Sequence, residues 1–145
     1  MLEHHKKSEL CETRPPYRAA KKLKAVKVYN ISSESQYLIV QNIPDLSLES
    51  YLLKLFTKYG KIVECRNLRD YPSEKFITTF LIKYGDFHQA KLAKSKLDDY
   101  SFFGSIIHIC YSPEYENVQE TIAKLNMRLH DVTSRLRDYG KYKDK

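Results

Sequence analysis

The sequence predicts an α+β domain of the ferredoxin-like class, in which a four-stranded antiparallel sheet packs on two helices and a further helix follows at the C-terminal end. Two observations lead to this class. Four short segments are rich in apolar and β-branched residues, and two segments between them carry apolar residues at helical spacing. Their order, βαββαβ over about 75 residues, is the split βαβ arrangement. Such a domain buries one face of its sheet against the helices and leaves the other face open.

The predicted strands and helices are bounded by prolines, glycines and polar residues. The strands cover residues 37–43, 62–68, 76–84 and 106–111, and the helices cover residues 48–59 and 87–97. Ser47 is the expected N-cap of the first helix, and Gly60 is expected to end it in the left-handed conformation. The second helix should turn Ala90, Ala93 and Leu97 inward. An apolar alternation at 26–29 is a candidate for an additional strand.

Composition limits the class of protein. The 145 residues allow one domain of ordinary size plus extensions, and a hydrophobic content of 42% is enough for a modest core. No segment approaches the roughly 20 apolar residues of a membrane span, and residues 1–10 lack the apolar part of a signal peptide, so we expect a soluble intracellular protein. The three cysteines are scattered, so we expect no disulfide framework, no metal and no other cofactor.

The net charge of +7 is unevenly spread. Between Arg14 and Lys27 the chain has six basic residues and no acidic one. Such a segment pairs with phosphates, because each neutralised phosphate releases a condensed counterion; a solubility tail or a localisation signal is the alternative. The predicted organisation is a basic N-terminal arm at 1–34, the sheet domain at 35–113, an amphipathic helix at 114–137 and a basic tail at 138–145.

Motifs on these elements indicate an RNA recognition motif (RRM). The first strand reads LIVQNI at 38–43, close to the six-residue RRM motif, and the third strand ends LIKY at 81–84, where the eight-residue motif ends aromatic, Val, any, aromatic. The first helix carries the pattern Leu-x-x-x-Phe-x-x-aromatic-Gly at Leu52, Phe56, Tyr59 and Gly60. Each match is weak alone, but the matches occur together and in order.

The open face of this RRM lacks the aromatic rings on which bases usually stack. The three stacking positions hold Ile39, Thr79 and Leu81, and each missing stack is worth roughly 1–3 kcal/mol. Tyr37 is either a substitute stacking ring or a residue of the packed edge. The face is otherwise aliphatic with a basic border, and we expect a helix of this chain or a partner protein to cover it. Its other members are Gln41, Arg66, Ile77, Lys83, Ile106, His108 and Cys110.

The segment after Pro113 predicts a helix of about 20 residues with one apolar seam. Its apolar residues follow one another at spacings of four and three, which is a heptad-like pattern. We expect this seam to pack partly on the RRM and partly on a partner, with the part beyond Leu129 free or bound to the partner. The seam consists of Val118, Ile122, Leu125, Leu129, Val132 and Leu136.

The sequence offers no catalytic motif. The histidines are isolated from any nucleophile pattern, and neither a glycine-rich phosphate loop nor HExxH occurs. The fold also hosts acylphosphatase-type enzymes, but the loop after the first strand holds Asp45 where such an enzyme would bind an anion. We therefore expect a binding protein and not an enzyme.

Several strings outside the generic RRM positions resemble the RNA-binding protein 48 family of minor-spliceosome RRM proteins. They include RPPYR at 14–18, AVKVY at 25–29, ESQYL at 34–38 and SFFGSIIHICYSPEYENVQET at 101–121. The resemblance implies a nuclear protein that acts in splicing of minor-class introns. It also implies a partner built of armadillo repeats, and contact with the 5′ end of the minor-spliceosome counterpart of the sixth small nuclear RNA.

Two functions are therefore open, and they are compatible. The first is an RNA-binding spliceosomal subunit, and the second is a protein-interaction RRM whose contact with RNA is incidental. The predicted RNA contacts are Arg14, Tyr17, Arg18, Lys21, Lys22, Lys24, Lys27, Tyr37, Gln41, Arg66, Lys83 and His108. The predicted partner contacts are Ile39, Leu81, Ile106 and the six residues of the seam.

Overall fold

The computed structural model describes residues 2–6, 31 and 33–143, and in them the chain has the predicted βαββαβ order. The arm residues 14–27 and the candidate strand at 26–29 lie outside the described residues. The strands are β1 (Tyr37–Pro44), β2 (Ile62–Asn67), β3 (Ile77–Tyr84), β4 (Ser101–Phe102), β5 (Ser105–Ile106) and β6 (His108–Tyr111). The helices are α1 (Glu49–Phe56), α2 (Phe87–Leu97) and α3 (Val118–Lys143), and short 3-10 turns occupy Glu3–His5, Thr57–Tyr59 and Pro113–Tyr115.

The main sheet has the strand order β2-β3-β1-β6, and every neighbouring pair is antiparallel. Its two central strands, β1 and β3, alternate between the two faces as the period of a strand requires. One face packs on α1 and α2 and forms the main core. The members of this core include Leu38, Val40, Ile43, Leu52, Phe56, Ile82, Tyr84, Ala90, Ala93, Leu97 and Ile109.

A buried tyrosine shows how this core satisfies a phenol hydroxyl. The Tyr84 side chain is fully buried, and its hydroxyl donates a hydrogen bond of 2.7 Å to the carbonyl of Phe56 at the end of α1. Burial raises the pKa of Tyr84 well above its ordinary value, so the hydroxyl keeps its proton and its role as donor. This hydrogen bond links β3 to the C-terminal end of α1.

Both predicted end signals of α1 are wrong. Ser47 has a left-handed φ of 56°, and the N-cap is Leu48, which makes no side-chain capping bond. Gly60 has a φ of 161°, which is extended backbone and not the left-handed conformation. The chain instead needs a glycine there because the Gln89 side chain of α2 lies against it. Close packing against α2, and not a left-handed turn, therefore accounts for the glycine at this position.

The boundaries of α2 agree with the pattern, whereas those of the last strand and of α3 differ from it. Helix α2 spans the predicted residues 87–97, and its N-cap Asp86 accepts a hydrogen bond from the His88 amide at 3.1 Å. The predicted last strand is divided, because Ile106 belongs to the small β4–β5 hairpin, which turns at Gly104 with φ 84°. Helix α3 continues to Lys143, beyond the predicted end at 137. Among the described helices, none combines the length and the apolar composition that crossing a bilayer requires.

Candidate nucleic-acid interface

The sheet face opposite the helices is closed at its centre by the chain itself. Ile39 lies beside Leu81 on one neighbouring strand and beside Cys110 on the other, and all three side chains are at most 1% exposed. They form a second small core with Tyr37, covered by Leu68 and Tyr71 of the β2–β3 connection. The prediction that Ile39 and Leu81 contact a partner is therefore wrong. The β2–β3 connection covers these two aliphatic side chains instead.

The cover is fastened by hydrogen bonds to the 3-10 turn Glu3–His5. The Tyr71 hydroxyl lies 2.8 Å from Nδ1 of His5, and the Gln41 amide donates to that hydroxyl at 3.0 Å and to the His5 carbonyl at 3.1 Å. Nε2 of His108 lies 3.0 Å from the same carbonyl. Gln41 and His108, two predicted RNA contacts, thus have partners within the chain.

The pKa values of His5 and Glu114 at this turn are both lowered. Burial lowers the pKa of His5 below its ordinary 6.5, although the nearby Glu114 carboxylate opposes that effect. Burial alone would raise the pKa of Glu114, but hydrogen bonds from the Ser112 hydroxyl and the backbone lower it overall. Near neutral pH the turn therefore presents a neutral imidazole beside an ionised carboxylate.

Tyr37 is not free to stack on a base. It is 7% exposed, its ring stacks on Tyr115 with centroids 6.2 Å apart, and its hydroxyl donates to Oε1 of Glu120 at 2.9 Å. Nζ of Lys83 lies 3.2 Å from Oε2 of the same carboxylate and 5.1 Å from the Tyr37 ring. Of the two alternatives for Tyr37, the packed edge is the correct one, and the Lys83 ammonium is neutralised by α3.

The accessible part of this face is its rim, where two grooves lie. One groove, of about 740 Å³, is lined by Arg66, Arg69, Tyr71 and Tyr115 among others. Arg66 keeps 54% of its side chain exposed and places its guanidinium 5.8 Å from the centre of the Tyr115 ring. The second groove, of about 700 Å³, is lined by Lys6, Asn42, Ile106 and His108 among others. Arg66 and Ile106 are thus accessible, as their predicted roles require.

Sequence reasoning missed Arg69, Tyr115 and Lys6. Arg69 lies in a connection that carries no motif, and Tyr115 lies between the RRM and the C-terminal helix. Only the folded structure shows that Arg69 and Tyr115 line the same groove and that Lys6 lies in the other groove of the same face. The predicted arm contacts, Arg14 to Lys27, lie outside the described residues and stay predictions.

Helix α3 contacts the RRM through a polar face. Lys124 is 7% exposed, and its ammonium donates to the Glu34 carbonyl and to Oε1 of Glu116, each at 2.8 Å. The Arg128 guanidinium donates to the Glu34 carboxylate at 2.9 Å. Together with the contact of Glu120 to Tyr37, these bonds hold one side of α3 against β1 and against Glu34, which lies just before that strand.

The apolar seam of α3 points away from the RRM, so the prediction that it packs partly on the chain's own domain is wrong. At about 100° per residue, the seam lies about 140° around the helix from the line through Lys124 and Glu120. Its six residues keep between 43% and 75% of their surface exposed. Charge pairing decides the orientation of the helix, and the apolar residues are left on the outside.

Comparison with known proteins gives three findings. Residues 38–108 match the sequence pattern of the family described as RNA recognition motif. The chain is 43% identical over 128 residues to RNA-binding protein 48 of Homo sapiens and 46% identical over 128 residues to RNA-binding protein 48 of Danio rerio, in each case over 88% of this chain. It spans about a third, 35%, of the length of these curated relatives. The predicted resemblance to that family is confirmed.

Among solved structures, RRM3 of Pes4 superposes with a TM-score of 0.49 at 13% sequence identity. The alignment covers 57% of this chain and 96% of that chain. The RRM3 domain of Mip6 superposes with a TM-score of 0.49 at 16% sequence identity, over 55% of this chain and 94% of that chain.

Proposed function

Residues 38–108 of the chain form an RNA recognition motif, and from that premise we propose that the chain is an RNA-binding subunit of the minor spliceosome that contacts a small nuclear RNA near its 5′ end. The observation that carries the RNA-binding part is the match of residues 38–108 to that family, together with relatives that are named RNA-binding protein 48. The RRM family is a class of RNA-binding modules and not of enzymes. The minor spliceosome, minor-class introns and nuclear localisation rest on the sequence strings shared with the RNA-binding protein 48 family.

In this proposal RNA lies along the rim of the sheet and not across its centre. The central positions are buried under Tyr71, so bases have no open platform there. The groove beside Arg66 and Arg69 combines exposed guanidinium groups with the ring of Tyr115, a pairing that suits a phosphate and one stacked base. The basic arm adds phosphate contacts that are independent of sequence.

A second function, protein interaction, is favoured by the exposed seam of α3. Six aliphatic residues in one stripe, each at least 43% exposed, make an apolar surface that water does not favour. Burial of each such side chain is worth roughly 1.5–3 kcal/mol. An amphipathic helix laid in a hydrophobic groove is a common recognition mode, and the resemblance to the RNA-binding protein 48 family leads us to propose an armadillo-repeat partner for it. The two functions use different surfaces and are compatible.

The RNA-binding part is tested by fluorescence anisotropy with the full chain and a 5′-phosphorylated single-stranded RNA. The arm variant replaces Arg18, Lys21, Lys22 and Lys24 by alanine. Its affinity should depend less steeply on salt, by up to about 0.7 in logarithmic slope for each phosphate that the arm no longer neutralises. An unchanged slope would mean that the arm serves only solubility or localisation.

The rim has its own variant and a matched control. Arg66→Ala with Arg69→Ala should weaken binding about tenfold, at roughly 0.7 kcal/mol for each exposed charge contact. The control, Lys54→Ala with Lys58→Ala, removes the same charge from the helix side of the domain and should bind nearly as well as the wild type. Equal effects in both variants would show that only net charge matters.

The spliceosomal part is tested by capture from nuclear extract, with small nuclear RNAs and proteins identified separately. We expect a minor-spliceosome small nuclear RNA and a helical-repeat protein with the wild-type chain. Leu129→Asp should no longer capture the protein, and the arm variant should recover less RNA. Recovery of unrelated RNAs alone would contradict the minor-spliceosome assignment.

A further inference from the structure

Three potential metal ligands from two distant segments meet at the edge of the covered sheet face. His4 and His5 belong to the 3-10 turn Glu3–His5, and Glu114 belongs to the 3-10 turn Pro113–Tyr115. One nitrogen of each imidazole and one carboxylate oxygen all lie within 4.8 Å of one another. Nε2 of His4 is 3.0 Å from Oε2 of Glu114, and Nε2 of His5 is 2.5 Å from Oε1. Two ligand atoms of one tetrahedral ion, at bond lengths of about 2.0–2.2 Å, lie about 3.3–3.6 Å apart, so a small outward movement of the imidazoles would make room for one ion between the three groups.

His5 has the features of a ligand. It is 3% exposed, and its buried Nε2 lies against Glu114 without the alignment of a hydrogen bond, so that this atom has no hydrogen-bond partner among the described residues. Its other nitrogen, Nδ1, is held by the Tyr71 hydroxyl at 2.8 Å. A histidine that ligates a metal is usually oriented in this way, by a hydrogen bond at the ring nitrogen that does not touch the ion.

The Glu114 carboxylate is also held in place by a hydrogen bond. The Ser112 hydroxyl, from a residue that is fully buried, donates to Oε1 of Glu114 at 2.7 Å and fixes the direction of the group. The rings of His4 and His5 stand edge to face, with centroids 4.3 Å apart, so that both can turn a nitrogen to the same carboxylate. The Tyr71 and Ser112 hydroxyls thus orient two of the three ligands, His5 and Glu114.

We propose that His4, His5 and Glu114 bind one Zn²⁺ ion, which fastens the N-terminal turn to the sheet face. Two imidazoles and one carboxylate are a donor set that Zn²⁺ takes readily, with water in the fourth position. The ion would keep residues 2–6 closed over Gln41 and His108, and so would keep the centre of the RNA platform covered. No sequence motif indicates this site, because His4 and Glu114 are 110 residues apart and follow no ligand spacing.

The test is a titration of the metal-free full chain with Zn²⁺, followed by calorimetry, with Co²⁺ as a spectroscopic probe of four-coordination. The wild type should bind one ion per chain. His4→Ala and Glu114→Gln should each weaken binding by at least about tenfold, and His4 is 37% exposed, so its replacement should leave the fold intact. His88→Ala removes a histidine that faces Asp131 elsewhere on the surface and should leave the affinity unchanged.

Thermal melting supplies a second readout on the same proteins. Zn²⁺ should raise the melting temperature of the wild type and of His88→Ala, because it binds the folded state alone. At the same Zn²⁺ concentration it should raise the melting temperature of His4→Ala and Glu114→Gln less than that of the wild type. The proposal is overturned if the wild type binds no Zn²⁺, or if His4→Ala and Glu114→Gln bind it as tightly as the wild type.

Discussion

Replacement of Lys124 by alanine should detach α3 from the RRM and lower stability strongly. The Lys124 ammonium is buried between the Glu34 carbonyl and the Glu116 carboxylate, each 2.8 Å away, and the side chain of Glu116 is only 4% exposed. Removal of the lysine leaves a buried carboxylate without its cation. The removal of one partner of a buried ion pair costs about 3–5 kcal/mol.

That free energy corresponds to a large change in melting temperature. For a structured chain of this size, 1 kcal/mol shifts the melting temperature by about 4 °C, so we expect a fall of about 12–20 °C in circular dichroism. Limited proteolysis should cleave α3 in the variant before it cleaves the RRM. A combined Lys124→Met and Glu116→Gln variant should recover most of the stability, since no buried charge then remains.

Lys96→Ala is the matched control. Lys96 lies exposed on α2, and its replacement should change stability by less than about 0.5 kcal/mol. A destabilisation below about 1 kcal/mol for Lys124→Ala would refute the reasoning, because it would mean that the helix does not depend on this ion pair for its position.

Three further outcomes follow from the structure. Leu125→Asp and Leu136→Asp should each leave the melting temperature within a few degrees of the wild type, since both side chains are exposed, while each weakens recovery of the protein partner in a pull-down. Burial alone would raise the pKa of Asp98, but the nearby His108 ring, the hydrogen bond from the Ile109 amide and the Lys94 ammonium lower it overall. The stabilisation by Asp98 is present above the unfolded pKa near 3.8 and is lost as pH falls through the folded pKa. In urea titrations Asp98→Asn should therefore lose less stability than the wild type between about pH 5 and pH 3. Burial raises the pKa of the Cys110 thiol to about 12, so a disulfide reagent near neutral pH should label Cys110, in peptide mapping, only after unfolding.

Each of these measurements has an outcome that would contradict its premise. A large loss of stability in Leu125→Asp would place the seam in a core and not on the surface. An equal acid sensitivity of Asp98→Asn and the wild type would remove Asp98 from the acid transition. Rapid labelling of Cys110 in the folded protein would show that the second core opens readily.

The fold could be predicted because its signals are local. Helix α2 has both its apolar spacing and its cap, Asp86, within the helix and the residue before it, and it spans the predicted residues. The alternation in β1 and β3 likewise requires no knowledge of distant residues. The role of Gly60 was mistaken because Gln89 of another helix packs against it, which no local pattern shows.

The functional surfaces could be predicted only in part, because they depend on which segments cover which others. The seam of α3 was recognised from its spacing, but the side of the helix that contacts the RRM is decided by Lys124 with Glu116 and Glu34, and charges in a helix usually indicate a solvated face. The closure of the sheet face depends on Tyr71 meeting His5, which lies 66 residues away. Such contacts between loops have no periodicity from which to infer them.

The central claim is that RNA contacts the rim of a sheet whose centre is closed. The most direct test is NMR mapping of backbone amides in the full chain during titration with a 5′-phosphorylated single-stranded RNA. The largest shifts should appear at Arg66, Arg69 and Tyr115 and in the basic arm, with small shifts at Ile39 and Leu81. The largest shifts at Ile39, Leu81 and Cys110 would contradict the account, because they would show that the cover opens and that RNA occupies the centre of the sheet.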